Sequence, residues 1–112
     1  MLTALQQANP APASDRDTWV YLGEYDEQKH KFRNPPTFSA TSPPSAGSTI
    51  VSTQDVYKRS VKPYKDDKGN WQLGAIKGVL PKGTSVTVLE AARIEGENQY
   101  DYNSWLKVQP EQ

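Results

Sequence analysis

Hydrophobic and polar residues alternate in short segments through the second half of the chain, and glycine or proline separates one segment from the next. The alternation is cleanest over residues 84–90, where Val86 and Val88 fall on one face of an extended chain. A period of two over this length predicts a β-strand with one buried face. Residues 48–52 and 105–108 have the same character, so several short antiparallel strands are expected.

Turn signals separate these predicted strands. Proline at the second position and glycine at the fourth position of residues 80–83 favour a type I turn. The charged residues 65–70 lie between Tyr64 and Trp71 and predict an exposed hairpin tip. Residues 93–103 are mostly polar, and we expect them to form the connection that leads into the closing strand.

The first half of the chain predicts a hairpin over residues 18–33. Its first strand carries apolar side chains on both faces, with Trp19, Tyr21 and Tyr25 on one and Val20 and Leu22 on the other. After a polar turn, a short return strand should bring Phe32 against the aromatic face of the first strand.

A proline-rich stretch separates this hairpin from the later strands. Residues 34–47 contain four prolines together with repeated serine and threonine. Proline has no backbone N–H to donate, so this stretch should run as an extended surface loop. A chain of 112 residues suits one domain. We therefore expect a single all-β domain over residues 18–112, with the hairpin 18–33, this loop and a small antiparallel barrel over residues 48–109.

The inward positions of the predicted strands define the expected core. They are Ile50, Val56, Ile76, Val79, Val86, Val88, Leu106 and Val108. This assignment rests on alternation alone, because apolar side chains on one face of each strand should meet inside a barrel.

Residues 1–17 are expected to be a flexible tail or linker. The pair Leu2 and Leu5 has helical spacing, but one turn does not stabilise itself and two prolines follow it. Deleting residues 1–14 should therefore leave the melting temperature unchanged within error in a thermal unfolding experiment. A fall of several degrees would show that the two leucines dock on the domain, and would favour a role in assembly.

Composition and charge exclude several classes of function. Lysine plus arginine and aspartate plus glutamate number 13 each, so the chain lacks the positive field of most non-specific nucleic-acid binders. Without cysteine it has no disulfide framework and no thiolate chemistry. No segment approaches the roughly 20 apolar residues of a membrane span. The compartment stays open, and the cell envelope or the exterior is favoured if the chain is a piece of a longer secreted protein.

Catalytic chemistry has little support in the sequence. The single histidine, His30, lies between Lys29 and Lys31 with neither metal-ligand spacing nor a nucleophile beside it. Closely spaced carboxylates fall in predicted turns or in the tail, where nothing apolar would raise a pKa for general acid catalysis. We expect a non-enzymatic protein without a cofactor or metal.

Three sequence motifs occur in the order of a known domain family. Asp-Val at residues 55–56 precedes Lys-Gly-Thr-Ser-Val-Thr-Val-Leu at residues 82–89, and Trp-Leu-Lys-Val follows at residues 105–108. In this order the motifs resemble a bacterial SH3-like (SH3b) domain, and the similarity covers about residues 48–109. The resemblance implies a small SH3-like antiparallel barrel, to which the hairpin 18–33 is an addition.

The resemblance also implies a function. SH3b domains are non-catalytic interaction modules of larger bacterial proteins, and binding of a peptide, a protein partner or cell-wall peptidoglycan is what the resemblance implies here. Residues 57–63 replace the turn that usually follows the first motif, and the loop over residues 63–70 is longer than is typical. Because that loop borders the usual ligand groove, the type of ligand does not transfer.

Aromatic residues are the candidate binding site. Tyr57, Tyr64 and Trp71 cluster around the divergent loop, and Tyr102 is expected to join them in a ligand groove. Tyrosine and tryptophan suit this role because each combines a large apolar area with a polar edge. Three others are expected to be at least half buried over the ends of the sheet: Trp19, Tyr21 and Trp105.

Two other functions stay open. The domain could be a structural or assembly unit whose aromatic face packs on another subunit or on the rest of its own chain, which a large exposed apolar patch would favour. It could also be a small-barrel nucleic-acid binder, which the zero net charge disfavours and a steep salt dependence of oligonucleotide binding would support.

Overall fold

A computed structural model describes residues 18–96 and 99–110, so the predicted tail over residues 1–17 lies outside the described residues. Within those ranges every regular element is a β-strand and every strand pair is antiparallel, which confirms the expected all-β class. The strands are β1 (Thr18–Asp26), β2 (Lys31–Phe32), β3 (Thr49–Val51), β4 (Val56–Arg59), β5 (Tyr64–Lys65), β6 (Trp71–Gln72), β7 (Ile76–Leu80), β8 (Ser85–Glu95) and β9 (Asp101–Pro110).

Seven strands form one sheet in the order β3-β8-β9-β1-β4-β7, with β2 pairing beside β1, while β5 and β6 form a separate hairpin. In the hairpin formed by β1 and β2, Tyr25 lies opposite Phe32, and their ring centroids are 5.1 Å apart. Strand β1 occupies the middle of the sheet because its other neighbours are β9 and β4.

Strands β8 and β9 are longer than the sequence predicts. The expected connection over residues 93–103 is wrong at both ends, because β8 continues to Glu95 and β9 begins at Asp101. The extra length is paired throughout, with Ile94 opposite Asn103 and Ala92 opposite Trp105. Paired backbone groups and cross-strand contacts stabilise these polar segments as strands.

The core is one cluster of buried side chains contributed by six strands and by the proline-rich segment: Val20, Leu22, Phe38, Ile50, Val56, Leu80, Val86, Val88, Leu106 and Val108. It contains Ile50 of β3 and Leu80 of β7, which are the two end strands of the sheet order. The sheet is therefore curved around its core. At the end of the ladder between β3 and β8, Ser52 N donates to Thr84 O and Gly83 N donates to Ser52 O, both at 2.9 Å. The ladders of the described residues do not pair β3 with β7 into a closed barrel.

Two predicted core residues are wrong. Ile76 is 52% exposed and Val79 is 48% exposed, whereas Leu80 is buried opposite Val56. The register shifts in this ladder, because Lys58 pairs with Gly78 and the next residue of β4 pairs with Ile76. The extra residue in β7 is a β-bulge, which places Ile76 and Val79 on the same solvent-facing side.

The turn before β8 lies one residue later than predicted. It is centred on Lys82 and Gly83, and the φ angle of Gly83 is 86°. Glycine adopts this left-handed conformation without a steric cost. The Thr84 hydroxyl donates to the carbonyl of Pro81 at 2.6 Å and holds the turn together.

The proline-rich segment is packed against the sheet. Phe38 is 1% exposed and forms an isolated bridge with Ser52. Thr37 N donates to the Leu22 carbonyl at 2.9 Å, and Ser39 N donates to the Val51 carbonyl at 2.8 Å. These hydrogen bonds tie the connection to β1 and β3, so that it supplies a core side chain and covers the core on one side.

Candidate functional site

The sheet has a second face that is also apolar. Along β9, Leu106 and Val108 point into the core, so Asn103 and Trp105 belong to the opposite side. Tyr21 of β1 lies opposite Trp105, with ring centroids 5.2 Å apart. We call the side of the sheet that carries Tyr21, Ile94, Asn103 and Trp105 the outer face.

The hairpin formed by β5 and β6 is attached to the end of β8, beside this outer face. The indole Nε1 of Trp71 donates to Glu95 Oε1 at 3.3 Å, and the Nζ atom of Lys65 lies 3.6 Å from the same oxygen. On the other side of the hairpin, a Cβ atom built on Gly74 would lie 2.5 Å from the carbonyl oxygen of Val61. The close approach therefore requires glycine at residue 74.

An open cavity of about 520 Å³ lies between this hairpin and the outer face. Its size is within the range of about 300 to 1,000 Å³ that is common for ligand pockets. We call it the aromatic groove, and its lining is Tyr21, Thr37, Asp55, Val56, Tyr57, Arg59, Pro63, Trp71, Leu73, Ile94, Glu95, Asn103 and Trp105.

The groove contains two of the four residues that the sequence assigns to a binding site. Tyr57 and Trp71 line it, and they are 57% and 45% exposed. Tyr64 is exposed on the same hairpin as Trp71 but is not among the lining residues. Tyr102 is buried away from the groove, where the Arg93 guanidinium lies 4.5 Å from its ring centroid. Alternation along β9 explains this, because residue 102 shares a side with Leu106.

Sequence reasoning missed part of the groove. Trp105 is buried and Tyr21 partly buried, as expected, but they form the floor of the groove rather than a cover over the ends of the sheet. The polar character of residues 93–103 predicts a connection, so the strand positions of Ile94 and Asn103 are not evident from the sequence. Arg59 carries no sequence signal of its own, although its position follows from the pairing of β4 with β1.

Hydrogen bonds fix the polar groups of the groove. The Tyr21 hydroxyl donates to Asn103 Oδ1 at 2.8 Å, and burial raises the pKa of Tyr21, with the charge of Glu24 adding to the effect. The Arg59 guanidinium donates to the Gly74 carbonyl at 2.9 Å. Asp55 Oδ1 accepts from the Lys82 backbone N–H at 2.8 Å. These groups are therefore held in place before any ligand arrives.

Asp66 organises the hairpin that carries Trp71. Its Oδ1 atom accepts hydrogen bonds from the N–H groups of Lys68 and Asn70, both at 2.9 Å, and its Oδ2 atom accepts one from Gln72 at 3.0 Å. The hydrogen bond from Asn70, followed by that from Gln72, lowers the pKa of Asp66 below its ordinary value.

Acid should therefore loosen this hairpin. Because the folded pKa of Asp66 is lowered, the ionised carboxylate stabilises the hairpin above pH 3.8, and the contribution is lost as the pH falls through the folded pKa. The amide resonances of Lys68 and Asn70, followed by NMR during an acid titration, should report this change. Asp66→Asn should abolish it, and a titration that persists in the variant would assign the effect to another carboxylate.

The described residues form no metal site. Across residues 18–96 and 99–110 no three histidine or carboxylate side chains come together as a metal site. His30 is exposed in the turn between β1 and β2. The same ranges contain no helix that is long and apolar enough to cross a membrane.

No protein-family model matches the chain, and neither a curated protein nor a solved structure matches it.

Proposed function

We propose that this protein is a non-catalytic binding module with an SH3-like barrel, and that it holds an extended peptide of a partner protein in the aromatic groove. The observation that carries the proposal is the groove itself. Four aromatic side chains, Tyr21, Tyr57, Trp71 and Trp105, line one open cavity beside a few fixed polar groups. Apolar pockets with a small number of placed polar groups are typical of ligand sites.

The character of the lining favours a peptide. The exposed rings of Tyr57 and Trp71 offer large apolar areas that a ligand side chain would remove from water. The amide of Asn103 and the carboxylate of Glu95 stand beside them and suit the N–H groups of a peptide backbone. Rigid aromatic anchors with adjacent hydrogen-bonding groups are the usual centres of binding energy at protein interfaces.

NMR titration of the isotope-labelled protein tests this proposal. A pooled library of acetylated pentapeptides and, separately, soluble peptidoglycan stem peptides would be added while the backbone and indole resonances are recorded. We expect saturable shifts at Trp71, Trp105 and Asn103, with no change at His30. Shifts confined to other surfaces, or none with either set of ligands, would contradict the assignment.

An assembly role is a second candidate, favoured by a specific observation. Several large apolar side chains are exposed on the outer surface of β4 and β7 and the segments beside them: Tyr57, Val61, Leu73, Ile76 and Val79. Tyr57 and Val79 are register partners across these strands. If this surface packs on another subunit, Ile76→Ser together with Val79→Ser should abolish concentration-dependent association in sedimentation equilibrium. A wild-type protein that stays monomeric, alone and with its native partner, would remove the candidate.

A further inference from the structure

The contacts of the Lys65 side chain indicate which chemical group can bind in the part of the aromatic groove next to the β5–β6 hairpin. Its Nζ atom lies 5.3 Å from the centroid of the Trp71 ring and 3.6 Å from Glu95 Oε1. The Trp71 indole donates to the same carboxylate oxygen. An ammonium ion is thus held between an aromatic ring and a carboxylate, both of which attract cations.

This internal cation is weakly held. The Lys65 side chain is 53% exposed and that of Glu95 is 67% exposed. Exposed ion pairs contribute little to stability, because water and salt screen them and two long side chains must be ordered. Lys65 can therefore leave Trp71 and Glu95 at small cost, and both line the groove.

The charges along the groove give it a direction. The Arg59 guanidinium lies 5.8 Å from the centroid of the Tyr57 ring and is hydrogen-bonded to the Gly74 carbonyl. The carboxylate of Asp55, two residues before Tyr57, also lines the groove and offsets the positive charge of Arg59. When Lys65 moves away, it no longer neutralises the negative charge of the Glu95 carboxylate beside Trp71. A ligand cation is therefore attracted more strongly to Trp71 than to Tyr57, where the charges of Arg59 and Asp55 offset each other.

We propose that the partner segment bound in the groove carries a basic side chain, whose cation replaces that of Lys65 between Trp71 and Glu95. This inference rests on the proposed peptide-binding function. Apolar residues of the same segment contact Tyr57 and Trp105, and the basic side chain fixes the direction in which the segment lies. Lys65 then acts as an internal competitor that keeps this position occupied until a partner arrives.

Two matched peptide pools test the proposal. One pool has the form Ac-X-X-Lys-X-X-NH2, and in the other norleucine replaces lysine, which keeps the stem and removes the charge. Binding would be followed by the indole resonance of Trp71 at low ionic strength. We expect the lysine pool to bind about tenfold more tightly than the norleucine pool, in line with a cation held by an aromatic ring and a carboxylate.

Substitutions separate the parts of the argument. Lys65→Met should strengthen binding of the lysine pool about threefold, because it removes the competitor. Glu95→Gln, which keeps an acceptor for the Trp71 indole, should remove the preference for lysine. Lys62→Met is the matched control, because its Nζ atom lies 5.6 Å from the Trp19 ring centroid but Lys62 does not line the groove. It should change neither pool.

Each outcome decides a different point. Equal binding of both pools at Trp71 would overturn the basic partner while leaving the peptide-binding function intact. Weaker binding of the lysine pool to Lys65→Met would also overturn the proposal, because Lys65 would then assist the ligand. If neither pool shifts Trp71, the peptide-binding function fails and this inference fails with it.

Discussion

Replacing Leu106 by alanine should lower the free energy of unfolding by about 2 to 5 kcal/mol, as measured by urea denaturation. Leu106 is fully buried in β9, opposite Val20 of β1 and Ala91 of β8. The substitution removes its side-chain contacts and leaves a cavity in the centre of the sheet. If this variant does not fold, Val88→Ala gives a milder test, with an expected loss of about 1 to 3 kcal/mol.

The matched control for this prediction is Ile76→Ala. Ile76 is 52% exposed on the outer side of the β7 bulge, so its truncation should change stability by no more than about 0.5 kcal/mol. A loss as large as that of Leu106→Ala would place Ile76 in the core, as alternation alone predicts, and would contradict the register of β7.

Replacing Trp71 by alanine should weaken binding of a groove peptide by about 2 kcal/mol or more, which is about thirtyfold in the dissociation constant. Trp71 supplies an exposed ring at the edge of the groove and is held by its hydrogen bond to Glu95. A ligand that packs on this ring loses apolar contact when the ring is removed. Titration calorimetry with the peptide selected by NMR would measure the change.

Two variants, Tyr64→Ala and His30→Ala, control for indirect effects of the Trp71→Ala substitution. Tyr64→Ala removes an aromatic ring from the same hairpin but not from the groove lining, so binding should be preserved. His30→Ala, in the turn between β1 and β2, should also have no effect. Full binding by a folded variant with alanine at Tyr57, Tyr64 and Trp71 together would exclude the groove as the binding site.

The fold was predictable where one side of a strand is simply apolar. Val86 and Val88 are buried as their alternation predicts, because β8 is regular over these positions. The same reasoning fails in β7. Val79 directly precedes the buried Leu80 and so lies on the outer side, and one extra residue between Gly78 and Ile76 reverses the side on which Ile76 lies. A bulge is set by the register of the partner strand and leaves no mark in the periodicity. The SH3-like barrel stays a prediction.

The candidate site was predictable only in part. Tyr57 and Trp71 flank a long divergent loop, which predicts that they lie close together, and both line the groove. Tyr102 does not line the groove. Its segment has the composition of a polar connection, so the sequence does not indicate on which side of β9 it lies. The floor formed by Tyr21 and Trp105 depends on the pairing of β1 with β9, a contact between distant parts of the chain that no local pattern encodes.

The central place of β1 has a consequence for how the protein folds. Thr18 in the first described strand pairs with Val108 in the last, so the middle of the sheet forms only after nearly the whole domain is available. Sheets that depend on such distant pairing fold slowly, in milliseconds to seconds rather than microseconds. Until β9 inserts, β1 and β8 each leave a backbone edge unpaired, and a nascent chain paused at that stage is vulnerable to aggregation.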